Sequence, residues 1–483
     1  LAIEEHAGKI LYIMRQYMSP IQNSNGGKVM EADSETRRRL WAFGIIGFLL
    51  IVSVWYYARN PMYIYLVAYA WFGFTYGVLQ QWGRFCFASA WRDLIALRVT
   101  RMYIGIMIAL VILGVVIAYL EVQGLSTFHP APLGLHELLG GFIFGLGMVI
   151  AGGCATGTLY KTGEGNLSSA VTLVAMIFSQ ALFVDVGGYF DRFLKGYTFK
   201  QPTMRLSDYF TEYGDLRFFI GDVFINGFLV VMILLGLTYF FVTRKDLLEQ
   251  KAAAATTADG GNVNMTLRED LAGFWGMIIA SKRTAIAGAL IGLVAGLNIL
   301  VIQGLRNRFS MDNFGTALIR MGYTEDVSRT GRVFDPGYWY ITSQEAQLGA
   351  WILEKFGMNM RDNFFFGVTN AIPHPLNNPL LWMSFGLMLG AAAMALLSNE
   401  FKWKKPNREL FIFAVIGGVL MGIGARIALG CNIGGFYIRA AGGDPGGWVF
   451  FLGMGAGAFL AVKGMTWWTE RQLAKVDLDL EIE

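Results

Sequence analysis

GGFIFGLGMVIAGGCATGTLYKTGEG (140–165) returns 277 residues later, without a gap, as GGVLMGIGARIALGCNIGGFYIRAAG (417–442). Of the 26 aligned positions 11 are identical: Gly140/Gly417, Gly141/Gly418, Gly145/Gly422, Gly147/Gly424, Ile150/Ile427, Ala151/Ala428, Gly153/Gly430, Cys154/Cys431, Gly157/Gly434, Tyr160/Tyr437 and Gly165/Gly442. Many of the other pairs exchange one apolar residue for another. Self-similarity of this kind in an apolar chain reads as two structural repeats with a site where they meet. The chain has 3 cysteines, and two of them stand at the symmetric point.

Composition agrees. Hydrophobic residues make up 55% and charged residues 15%, and the mean hydropathy is +0.47. That describes a polytopic membrane protein. Glycine contributes 60 of 483 residues, far above the usual ~7%, and lies inside apolar runs. In membranes such residues let helix backbones approach, and they permit broken helices. A net charge of +4 gives no reason to expect a nucleic-acid partner. An odd, dispersed cysteine set excludes a disulfide framework, and His6, His129, His136 and His374 lack the spacing of a zinc or haem site. No nucleotide-binding loop is present. No metal, cofactor or catalytic group is therefore expected. The chain starts with Leu1 rather than Met, so residues are expected to precede it.

Apolar windows of ~20 residues, the length that crosses the hydrocarbon, predict about ten spans. They fall near 40–58, 62–81, 101–120, 134–153, 168–190, 218–242, 284–305, 379–398, 409–429 and 446–466. Residues 1–38 form an amino-terminal extension, in which 1–18 reads as a surface amphipathic helix. The first membrane half covers 39–242 (repeat 1 about 62–190). A polar linker, 243–270, precedes the second half at 271–466 (repeat 2 about 284–466), and 467–483 form a tail. The stretch 306–378 is too polar to span and is expected to form an extramembrane lobe. Short loops rich in Arg and Lys (Arg84, Arg92, Arg98, Lys161, Arg244, Lys402, Lys404 and Lys405 among them) lie on the side of both termini, which the positive-inside rule makes cytoplasmic. With Cys154 ending the fourth span and Cys431 the ninth, the repeats run in opposite directions. The expected fold is all-α, with two pseudo-symmetric inverted repeats and Gly-rich broken helices.

The third cysteine has a weaker echo. VLQQWGRFCF (78–87) resembles VIQGLRNRFSM (301–311) with a one-residue slip, which sets Ser310 opposite Cys86. A complete symmetric site would hold Cys86, Cys154, Cys431 and Ser310, with Gly157 and Gly434 exposing backbone N–H groups beside them. Gly141-x-x-x-Gly145 and Gly418-x-x-x-Gly422 are expected to bring helices together nearby. Arg426 sits five residues before Cys431 in an apolar span, where a cation costs roughly 2.5–3.5 kcal/mol on insertion scales and is functional by default. It either attracts an anion or braces a carboxylate or carbonyl. Arg84 is equally suited to a lipid headgroup or a substrate. Asp185 and Asp222 are candidate proton carriers, although capping or packing is the commoner fate of such residues near span ends.

GRFCFASAWRD (83–93), AGGCATGTLYKTGEG (151–165) and GARIALGCNIGGF (424–436) resemble the signature segments of the YeeE/YedE membrane protein family. The resemblance covers both halves and includes all three cysteines. It implies uptake of thiosulfate, or a related small sulfur anion, through an hourglass-shaped helical protein past the thiols of Cys86, Cys154 and Cys431. It places the chain in a bacterial inner membrane, not among enzymes. The amino-terminal extension and the 306–378 stretch depart from the family pattern and point to a partner, an extracytoplasmic or cytoplasmic sulfur-handling protein, or to an altered substrate.

Elementary chemistry is compatible with that passenger. A bare dianion cannot enter hydrocarbon, and full positive charges along the path would hold it too tightly for release. Thiols are weak neutral donors, and N–H groups at helix starts add partial positive charge. The main alternative is an integral subunit or anchor of a sulfur- or selenium-metabolising complex. A thiol-relay enzyme passing sulfane sulfur ranks last, because no general base accompanies either repeated cysteine.

Overall fold

The computed structural model describes residues 27–125, 130–131, 133–184, 204–210, 214–255, 264–310, 338–363, 365–366 and 371–482. Among these residues the fold is all helical, and nine helices are long and apolar enough to cross a membrane. The expected fifth span, 168–190, is a shorter apolar helix, Leu167–Leu182, and the remainder of that window passes beyond the described residues. The expected surface helix at 1–18, His6, His129 and Asp185 also lie outside them.

In chain order the helices are α1 (Gly27–Arg59), α2 (Ile64–Gly83), α3 (Phe87–Leu97), α4 (Arg101–Val122), α5 (Leu135–Ile150), α6 (Ala155–Gly163) and α7 (Leu167–Leu182). A long helix with π-helical stretches follows, α8 (Arg217–Ala252). Then come α9 (Leu267–Ile279), α10 (Lys282–Arg308), α11 (Thr342–Lys355), α12 (Pro379–Leu397) and α13 (Arg408–Ile427). A π-helical turn, Asn432–Tyr437, runs into Ile438–Ala441 as α14, and α15 (Pro445–Ile482) closes the chain.

The packing comes in matched sets. Helix α2 packs on α12 as α10 packs on α4; α5 packs on α15 as α13 packs on α7; α3 meets α15 as α11 meets α7; and α5 and α13 pack on each other at the centre. Two ties fix the ends of the central pair. Near the start of α5, the Ala131 N–H donates to Asp444 Oδ2 beyond α14 at 3.0 Å. Beyond α6, the Leu167 N–H donates to the Lys404 carbonyl just before α13 at 3.0 Å. Helices α5 and α13 therefore run antiparallel.

Glycine sets how closely these helices approach. A Cβ at Gly73 or Gly77 of α2 would overlap the Met383 or Leu387 carbonyl of α12, and one at Gly386 or Gly390 would overlap the Ala70 or Phe74 carbonyl in return. Gly288 of α10 is seated in the same way on Gly105 of α4. The pair Gly141 and Gly145 rests on Phe450 and Met454 of α15, while Gly418 and Gly422 rest on Thr172 and Ser179 of α7. Lipid is as apolar as leucine, so close backbone contact of this kind is what holds such helices together.

Gly77→Val should destabilise the bundle by about 1–3 kcal/mol, the usual cost of overpacking, and lower its melting temperature in detergent. Gly47→Val on α1, where a Cβ meets nothing within 4 Å, should leave it unchanged. Equal melting temperatures for the two variants would contradict the backbone seating.

Candidate functional site

Each cysteine caps the amino-terminal end of a short helical piece. Cys86 precedes α3, Cys154 precedes α6 and Cys431 precedes the π-helical turn of α14, all three in extended backbone. All are free thiols with no exposed surface. The local reason is the same in both repeats. Helix α5 ends at Ile150, and Gly152 takes a left-handed φ of +69° that turns the chain before Cys154. Helix α13 ends at Ile427, and Leu429, the position aligned with Gly152, takes the same region at φ 56°. A leucine there costs roughly 1–2 kcal/mol, so the turn is imposed by the surrounding structure rather than by local preference.

The capping chemistry is most complete at Cys154. Its Sγ accepts the Gly157 N–H at 3.3 Å and lies 3.4 Å from Thr156 Oγ1. Cys86 Sγ is 3.8 Å from Cys154 Sγ. A Cβ on Gly157 would sit 2.8 Å from the first sulfur and 3.2 Å from the second. Glycine at 157 therefore keeps a peptide N–H and two thiols at one point. In the second repeat the Cβ of Gly434 would meet the Tyr340 ring at 2.8 Å, so an aromatic edge occupies the ground that the Cys86 thiol holds in the first. The Ile433 and Gly434 N–H groups face the Cys431 sulfur without closing a full hydrogen bond.

Ser310 is not with the thiols. It lies exposed just past the end of α10, in a left-handed conformation. The residue that caps α11 as Cys86 caps α3 is Ile341, next to Tyr340. The slipped match of 78–87 to 301–311 paired the ends of α2 and α10 but missed the chain between α10 and α11.

Arg426 is buried, with its guanidinium 4.9 Å from the Phe365 ring centre and its Nε without a hydrogen-bond partner among the described residues. Glu345 of α11 is 1% exposed; its Oε2 accepts from Gln180 Nε2 at 2.9 Å and its Oε1 has no partner among the described residues. Sequence reasoning missed Glu345, Gln180 and Tyr340. The segment 338–366 is too polar for a hydropathy window, yet it gives the bundle buried Tyr338, Trp339 and Glu345. Arg84 instead pairs with Glu400 at 2.6 Å.

Around this centre, Arg439 of α14 is buried between Glu137 of α5 and Asp444, with Nε 2.6 Å from Asp444 Oδ2. That network locks α14 to the start of α5. Among the described residues no cluster of His, Cys, Asp and Glu is arranged to hold a metal ion.

Nine helices long and apolar enough to cross a membrane, packed around buried polar side chains among the described residues, define a polytopic membrane protein. The chain belongs to the sulphur transport family, whose profile matches residues 82–460. That family is one of transporters, not enzymes. Over 371 residues, 75% of this chain and 88% of the relative, it is 29% identical to the thiosulfate transporter TsuA of Spirochaeta thermophila. Over 393 residues, 80% and 91% of the two chains, it is 28% identical to the thiosulfate transporter TsuA of Escherichia coli. The protein is thus a multi-pass membrane protein of sulfur transport.

Mild oxidation with copper–phenanthroline in detergent should join Cys86 to Cys154 and leave Cys431 free, as read by peptide mass spectrometry. Three free thiols after oxidation, or a link to Cys431, would contradict the placement.

Proposed function

We propose that the protein carries thiosulfate, or a closely related sulfur anion, into the cytoplasm across a bacterial inner membrane. The thiols of Cys86, Cys154 and Cys431 and the N–H groups beside Gly157 and Gly434 act as successive weak donors. The observation that carries this reading is the cluster of Cys86, Cys154 and Gly157: two thiols and a helix-start N–H at one buried point. Thiosulfate offers oxygens and a terminal sulfur, all acceptors, and neutral donors can hold it without trapping it. The similarity to thiosulfate transporters of two bacteria supports the substrate class.

The matched packing sets and the antiparallel central helices support two inverted repeats with their breaks facing one another across the centre. Such a design suits alternating or hourglass passage, because each repeat presents its helix start to one side. The buried amides of Gln80 and Asn432 have no partners among the described residues, and unsatisfied buried amides suit a polar passenger. Arg426, five residues before Cys431 and stacked on the Phe365 ring, lends its positive field to this region from behind the neutral donors and is not itself a station on the path. Both termini are assigned to the cytoplasm from the basic loops, and a sulfur-handling protein is the partner expected at the passage mouth.

Radiolabelled thiosulfate uptake into proteoliposomes tests the reading. Cys154→Ala and Cys431→Ala should each lower the rate by about tenfold or more, as expected when a group left buried without its partner costs about 1–3 kcal/mol. Cys86→Ala should do the same. Wild-type rates in all three variants would overturn the thiol passage, and a folded wild type without uptake would overturn thiosulfate as the passenger.

A further inference from the structure

Four buried polar side chains near the breaks carry bare hydrogen-bonding atoms. Tyr76 and Gln80 of α2 and Asn298 of α10 have no exposed surface, and Trp339, two residues before Ile341 at the start of α11, is 1% exposed. The Tyr76 hydroxyl, the Trp339 Nε1 and both amide atoms of Gln80 and of Asn298 have no hydrogen-bond partner among the described residues. Folded proteins pair nearly all of their buried polar groups, so several bare ones in one place suit a polar visitor. Geometry joins them. The Tyr76 and Trp339 rings stack with centroids 4.0 Å apart and planes 4° apart. Along α2, Tyr76, Gln80 and Gly83 stand at i, i+4 and i+7, on one face. Gly83 of that face rests on Ala287 of α10, and Asn298 lies about three turns further along that helix. There the Tyr76 hydroxyl and the Asn298 amide face each other without closing a hydrogen bond. Both thiol stations adjoin the stack. The Gln80 carbonyl accepts the Phe85 N–H at 2.9 Å, next to Cys86. On the other side Trp339 precedes Tyr340, whose ring would lie 2.8 Å from a Cβ on Gly434.

We propose that Tyr76, Trp339 and Asn298, together with Gln80, form a donor station between the two thiol stations, and that this station selects the passenger. It offers a phenol O–H, an indole N–H and two amide NH2 groups, all neutral donors. The stack fixes both rings, so the hydroxyl and the indole N–H are held in place before an anion arrives. None of the four groups carries a charge, and an anion must exchange its water for neutral donors alone. Thiosulfate spreads its charge onto a large terminal sulfur and gives up water more readily than sulfate, which holds the same charge on four oxygens. The ligand class is therefore a sulfur-terminated oxyanion, and sulfate is the anion refused.

This assignment rests on the anion-transport reading, and the test separates the two. Tyr76→Phe and Trp339→Phe keep two stacked rings and remove one donor each; Asn298→Leu keeps the volume and removes the amide. Purified variants in proteoliposomes are measured for the KM and maximal rate of thiosulfate uptake and for its inhibition by sulfate. In detergent they are measured for the rise in melting temperature that thiosulfate causes. Each variant should raise KM by about two- to tenfold, the range of one neutral hydrogen bond. Each should also shrink the thiosulfate-dependent thermal rise and make uptake more sensitive to sulfate. A lower maximal rate or a less stable free protein, with KM and the thermal rise unchanged, would show packing alone and overturn the station. Wild-type values in all three variants would overturn it too, and the thiol passage would stand. A folded wild type with neither uptake nor a thiosulfate-dependent thermal rise would overturn the transport reading, and the station with it.

Discussion

A helix that breaks inside a bilayer must satisfy its freed N–H groups from protein, because lipid offers no acceptor. In this chain the starts of α3, α6 and α14 are buried, each has a cysteine at the position just before it, and only Cys154 accepts a helix N–H, from Gly157 at 3.3 Å. Sulfur is a poor acceptor, so the helix starts are satisfied weakly at Cys154 and not at all by the side chains of Cys86 and Cys431, which leaves the N–H groups available. Serine or aspartate would cap better and would also hold an anion's donors more firmly to themselves. A weak cap at a buried helix start is therefore both a structural compromise and a place where a passing anion can compete.

Everything around the breaks serves to hold them in register. Glycine seats α2 on α12, α10 on α4, and α5 on α15 backbone to backbone, so the breaks cannot slide apart. The Arg439–Glu137–Asp444 network fixes α14 to α5 at one end, and the Lys404 tie fixes the other. Buried ion pairs of this sort add little net stability; what they supply here is position. The left-handed Leu429 shows the same priority, since the chain accepts strain to turn before Cys431.

Much of this was legible in the residues. The repeat around Cys154 and Cys431 locates the two central breaks, because identical glycines mark positions where only a backbone fits. Cys86 was also readable from its own signature, and Arg426 from the cost of a cation in an apolar run. The second-repeat counterpart of Cys86 was not. Helix α11 is 14 residues long and carries two Gln, two Glu, a Thr, a Ser and a Lys, so it is too polar to read as a span on a hydropathy scale. Its polar residues are buried because they face protein and a cavity rather than lipid, which is a property of the neighbours and not of the segment. Glu345 and Tyr340 could be found only once α7, α12 and α13 were in place around them.

Where the anion rests decides between a thiol passage and any other route. A structure of the protein with selenosulfate, located by its anomalous scattering, would show the position. The chalcogen end should lie within hydrogen-bond reach of the Cys86 and Cys154 sulfurs and the Gly157 N–H, or in the equivalent place beside Cys431 and Gly434. Selenium bound instead at the Arg84–Glu400 surface or between helices on the lipid side, with the thiols untouched, would contradict it.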